Sequence, residues 1–145
     1  MQWIHIVART VAPQITPFAE FNQARWFWNH MKELFPETAG AVLMPNHLHL
    51  LIPTPDPDEE RQRLARLLAS FIRETGLPSR LWQTVPPPKI IQDRFHLRTQ
   101  VRYVALNPCR KNLCNDPLKW IWSTHRDVVG AIAQPWICHE KLAGH

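Results

Sequence analysis

No stretch of the sequence approaches the roughly 18 consecutive apolar residues that a bilayer-spanning helix requires. The opening MQWIHIVART also lacks the basic start and long apolar centre of a secretory signal. A cytoplasmic chain without a membrane partner is therefore expected. Cysteine is scarce too: there are three, an odd number, which argues against the disulfide framework of a small secreted protein. Cys109, Cys114, Cys138 and His139 make a zinc set only on paper, since none of the short paired spacings of zinc modules occurs, and free cysteines of this kind usually behave as small buried hydrophobes. There is no internal repeat, and the only low-complexity segment is the triple proline at 86 to 88. Tyrosine is rarest of all, with Tyr103 alone in the chain.

What is present suits a single domain spanning 1–145: 145 residues, 45% hydrophobic and 20% charged, the balance of an ordinary soluble fold. Seventeen Lys and Arg against twelve Asp and Glu leave a net charge of +5, the sign that favours a partner with a phosphate backbone. Charge of this size supports a nucleic-acid reading without originating one.

Residues 3 to 9, WIHIVAR, alternate and are rich in β-branched and aromatic side chains, as a strand requires. A helix follows, with Thr16 as its expected cap, Pro17 in its first turn, and Phe27, Trp28, Met31 and Phe35 spaced along one buried face; Pro36 stops it. The run 41 to 53 is about twice the usual strand length and carries Pro45-Asn46 at its middle, so it is two strands with a tight connection or one bent strand. Residues 56 to 75 form the clearest helix, with Asp58, Glu59 and Glu60 at its positive end, a stripe through Leu64, Leu67, Leu68, Phe71 and Ile72, and Gly76 and Pro78 beyond it. KIIQ, from 89 to 92, is a short strand candidate, and Asp93 is placed to cap a further helix expected to end near Leu106, because Asn107 precedes Pro108. An antiparallel sheet with the helices packed on one face, an α+β fold of the ferredoxin-like kind, buries these surfaces compactly.

The unusual feature is VLMPNHLHLLIP, which sets two histidines in an apolar strand. Alternate strand residues share a face, so His47 and His49 point one way while Leu48 and Leu50 point the other. Two rigid imidazoles can chelate a metal and leave positions open for substrate; satisfied core histidines are the plainer alternative. On the last helix His96, Gln100, Tyr103 and Asn107 fall on one stripe, beside a packing stripe of Leu97, Val101 and Val104.

MPNHLHLLIP, followed some fifty residues later by RYVALNPCRKNL and then DPLKWIWSTHRD, resembles the single-tyrosine HUH transposases, closest to the REP-associated tyrosine transposases. The resemblance covers most of the chain and implies the ferredoxin-like fold. It matches His47 and His49 to the metal-binding pair, Tyr103 to the nucleophile, and Asn107 to a polar position that completes the metal site. It implies a divalent cation, Mg²⁺ or Mn²⁺, and a single-stranded or hairpin DNA substrate cut through a covalent 5′-phosphotyrosine. Relatives include both monomers and homodimers that exchange the tyrosine helix, and either is compatible with this chain.

His96 and Gln100 are candidate helpers of the tyrosine. Arg94, Arg98, Arg102, Arg110, Lys111 and Arg126 are candidate phosphate contacts, with an ordinary solvated basic face as the alternative. Of the seven tryptophans, some could stack on bases, but Trp26 or Trp28 and Trp82 adjoin apolar runs and suit the core. Two other functions compete: a hairpin-binding module that no longer cuts, against which the intact His47, His49 and Tyr103 argue, and a two-histidine phosphoesterase, whose second H-x-[ST]-like element is missing.

Overall fold

The computed structural model describes residues 1–128 and residue 136. Four strands, β1 (Gln2–Arg9), β2 (Gly40–Met44), β3 (His47–Thr54) and β4 (Lys89–Ile91), form one sheet in the order β2-β3-β1-β4. Every neighbouring pair is antiparallel. Helix α1 (Phe21–Leu34) connects β1 to β2, α2 (Pro57–Thr75) connects β3 to β4, and α3 (Arg94–Arg110) follows β4. Two strand-helix-strand units are thus interleaved, as the α+β ferredoxin-like reading expects.

The long apolar run resolves into two strands joined by the two-residue turn Pro45-Asn46, with Met44 paired to His47. The turn is braced from outside: Thr10 N donates to Asn46 O at 3.0 Å, Phe18 N to Pro45 O at 3.1 Å, and Asn46 Nδ2 to Pro13 O at 2.8 Å.

One face of the sheet presents Ile4, Ile6, Ala41, Leu43, Leu48, Leu50 and Ile52 to α1 and α2, which answer with Phe27, Trp28 and Met31, and with Leu64, Leu67, Leu68 and Phe71. Trp28 is buried in this core, and Trp26 and Trp82 pack against it, as their apolar neighbours suggest. The expected placement of the helices on one face holds for α1 and α2 only. Helix α3 covers the opposite face, where Leu97 and Val104 meet Val42, Met44, Leu51 and Ile91 in a second core. The physical reason lies in β2 and β3, which are buried on both faces from Gly40 to Met44 and from His47 to Ile52. Strands written as near-continuous apolar runs need a cover on each side.

Three helix termini follow local chemistry. Asp56 accepts from Glu59 N at 3.3 Å at the start of α2, Gly76 ends it with φ +71°, and Asp93 accepts from His96 N at 2.8 Å to start α3. Two boundaries differ from expectation. Thr16 precedes a single 3₁₀ turn at Pro17–Ala19, and Glu20 caps α1 instead, accepting from Asn22 N and Gln23 N at 3.0 and 2.9 Å. Helix α3 runs through Pro108 to Arg110. Proline lacks the N–H that would reach Val104 O, but only one bond is forfeited in a final turn that Lys111 N closes on Asn107 O at 3.1 Å.

Beyond α3, residues 122 to 124 pair with the outer edge of β2: Leu43 N donates to Trp122 O at 2.9 Å and Thr124 N to Ala41 O at 3.0 Å. The short helix α4 (His125–Val128) follows. Among the described residues, no helix is long and apolar enough to cross a membrane. Cys109 and Cys114 are unbridged, with sulfurs 3.6 Å apart, while Cys138 and His139 lie outside the described residues.

Candidate active site

Strand alternation turns His47 and His49 toward α3, and the structure brings the candidate side chains together there. The two imidazole centroids are 5.1 Å apart, and the Tyr103 ring stands edge-on to His49 with a centroid separation of 5.7 Å. Asn107, one helical turn beyond Tyr103, is only 2% exposed, and its side chain lies beside His47. The side chains of β3 and α3 thus meet without a second copy of the chain.

His47 is oriented by the turn before it, its Nδ1 lying 2.7 Å from Asn46 Oδ1. Since the amide oxygen can only accept, Nδ1 carries the proton and Nε2 the lone pair. His49 Nδ1 lies 2.9 Å from Nε2 of His5, on β1. The sequence reading did not single out His5. WIHIV alternation puts it on one face, but its meeting with His49 depends on the β1–β3 register, in which Val7 faces His49. Gln100 hydrogen-bonds His5 rather than Tyr103, and His96 Nδ1 accepts from Gln92 N at 3.1 Å, so neither is held on the phenol.

All three histidines resist protonation. Burial is the main cause, lowering His47 from 6.5 to about 4 with help from Arg9 and Lys111. Burial, then the neighbouring His5 and His47, takes His49 to about 2, and burial with Lys89 takes His5 to about 4. Near neutral pH the imidazoles are therefore uncharged, as ligands must be.

Burying these imidazoles uncharged makes the fold sensitive to acid. The unfolded chain binds protons at pH 6.5 and below while the folded chain does not, so the stability present above pH 6.5 is lost as pH falls toward 4. One such imidazole contributes roughly 2 kcal/mol of that loss by pH 5. Urea midpoints at pH 7.5 and pH 5 without divalent cations should differ accordingly; equal midpoints would mean that these rings are not desolvated.

The site can be tested for its fit to a cation. His49 Nε2 and Asn107 Oδ1 are buried, and neither has a hydrogen-bond partner among the described residues. Among those residues no three His, Cys, Asp or Glu side chains are placed to hold a metal ion, so the candidate donor set is two imidazoles and one carboxamide oxygen. A sparse neutral set with positions left for water and phosphate oxygens fits a divalent cation that acts on a phosphate.

The basic residues divide. Arg110 lies over the Tyr103 ring, its guanidinium carbon 4.7 Å from the centroid, and the charge of Lys111 reaches both His47 and His49. Arg94, Arg98 and Arg102 are exposed on α3 but lie roughly 100 to 180° around the axis from Tyr103, so they do not join the centre. Arg126 is half-buried in α4, with its Nε enclosed and without a hydrogen-bond partner among the described residues. Arg9 and Lys89 were not singled out from the sequence; β-pairing sets them opposite His47 and His5. Both border a cavity of about 270 Å³ that shares His5 as a wall.

This four-stranded antiparallel sheet with its helices is the fold of a REP-associated tyrosine transposase. The structure of one such transposase bound to a REP hairpin matches with a TM-score of 0.73 at 21% identity, over 92% of this chain and 82% of that one. In sequence, the chain is 27% identical over 127 residues to a Haemophilus influenzae protein named "Putative REP-associated tyrosine transposase", covering 77% of this chain and 72% of that protein. The two findings support one family, the REP-associated tyrosine transposases, which is the family the histidine and tyrosine motifs resemble. No protein-family model matches the sequence.

Proposed function

We propose that the protein is a metal-dependent transposase that nicks and rejoins single-stranded DNA at hairpins through a covalent bond to Tyr103. The observation that carries this reading is the meeting, within one chain, of Tyr103 with His49 at 5.7 Å, beside His47 and Asn107. The similar transposase is bound to a REP hairpin, which supports hairpin DNA as the substrate.

His47 Nε2, His49 Nε2 and Asn107 Oδ1 would hold Mg²⁺ or Mn²⁺, which when bound supplies a Lewis acid for the negative charge that builds on the attacked phosphate. Tyr103 Oη attacks the phosphorus as its proton passes to water. The bond to the 3′ oxygen breaks, and that oxygen takes up a proton, leaving a 5′-phosphotyrosine and a free 3′-hydroxyl. One phosphodiester replaces another, so attack by a second 3′-hydroxyl rejoins strands without ATP. Arg9, Lys89, Arg110 and Lys111 surround this centre with positive charge suited to the flanking phosphates. The proximity of Tyr103 to the histidines of its own chain supports cleavage by a single copy.

The experiment is to incubate the protein with end-labelled hairpin DNA carrying single-stranded flanks and Mn²⁺ or Mg²⁺, then denature it. A labelled protein–DNA adduct that EDTA prevents is expected. Hairpin binding without an adduct under any divalent cation would leave only a non-cleaving binding protein.

A further inference from the structure

His5 takes no part in the chemistry above, yet it is a buried titratable side chain in direct contact with it. It is 8% exposed, and its Nε2 lies 2.9 Å from His49 Nδ1. Register explains the contact: Val7 faces His49 across the strands, which makes His5 the diagonal neighbour two residues along β1. At this separation one nitrogen donates and the other accepts, so the pair has two arrangements. If His5 donates, the proton of neutral His49 moves to Nε2, where no described residue accepts it and where it blocks cation binding. If His49 Nδ1–H donates, Nε2 carries a lone pair and joins Asn107 Oδ1 as a second buried acceptor without a donor among the described residues.

We propose that His5 is a positioning residue: by accepting the Nδ1–H of His49 it fixes the tautomer and ring orientation in which His49 Nε2 can bind Mg²⁺ or Mn²⁺. Gln100 extends the relay. With Nε2 of His5 engaged by His49, the proton of neutral His5 sits on Nδ1, and the Gln100 side chain that hydrogen-bonds His5 offers its carboxamide oxygen as acceptor. Outer partners of this kind orient metal-binding histidines and raise their basicity. The inference rests on the metal site of the proposed function, but it concerns a different side chain and can fail separately.

Two measurements test it. Imidazole ¹⁵N NMR of the metal-free wild type reads the His49 tautomer directly; protonated Nδ1 is expected, and protonated Nε2 overturns the proposal. Calorimetric titration with Mn²⁺ then compares wild type with His5→Leu, which fills the space without an acceptor, and His5→Gln, whose Oε1 replaces Nε2. Loss on the order of 10- to 100-fold in affinity is expected for His5→Leu, with recovery to within a few-fold in His5→Gln. Wild-type affinity in His5→Leu, or a His5→Gln variant as weak as His5→Leu, overturns the role. If His5→Leu does not fold, the tautomer and the His5→Gln titration still decide. If the wild type binds no Mn²⁺, the metal site itself is refuted, while the NMR result stands alone on the His5–His49 bond.

Discussion

Tyr103→Phe is expected to abolish the covalent DNA adduct while leaving hairpin affinity almost unchanged. The substitution removes one oxygen and keeps the ring, which is the part that meets His49 and His5 edge-on and lies beneath Arg110. Folding stability should therefore shift by less than about 1 kcal/mol. The nucleophile, by contrast, is irreplaceable, because this is the only tyrosine in the chain. A fall in strand cleavage on the order of 10³-fold or more is expected, the scale on which removal of a covalent nucleophile acts. Gel analysis after denaturation reads the adduct, and a filter or anisotropy titration reads binding. Cleavage that continues in Tyr103→Phe would instead mean direct attack by water, the phosphoesterase alternative.

His47→Ala and His49→Ala should both remove Mn²⁺ binding and cleavage together. Outer partners of a metal ligand cost about 10- to 100-fold in affinity when lost, so loss of a ligand itself should cost on the order of 10²-fold or more. Excess Mn²⁺ should partly restore adduct formation in these variants and should do nothing for Tyr103→Phe, which separates a cation defect from a nucleophile defect. Both imidazoles are buried and held neutral. Their removal should accordingly weaken the decline in stability on acidification even where activity is lost. Full cleavage in either variant would place the cation elsewhere.

Local chemistry was the most legible part of this chain. The Asp93 cap, the left-handed Gly76 and the buried stripes of α1 and α2 depend on neighbours within a turn or two. The meeting of His47, His49, Tyr103 and Asn107 was also legible, since strand alternation and helical spacing fix each half and the family resemblance joins them. What depended on non-local pairing was hidden. His5, Arg9 and Lys89 reach the centre only because β1 pairs with β3 and β4 in one register. The seat of α3 on the opposite face depended on how deeply β2 and β3 are enclosed. Pro108 misleads for another reason: a buried helix end can absorb one missing bond, and only because it does is Arg110 carried round onto the Tyr103 ring.

The pairing of residues 122 to 124 with β2 also bears on how copies of this protein could associate. One flank of the sheet is already occupied by the chain's own segment, and the other is a strand of only three residues preceded by three prolines. Among the described residues neither margin offers a long ladder of free amides, so propagation by strand addition is disfavoured there. Among the described residues, helical and loop surfaces are what remains for contacts between copies.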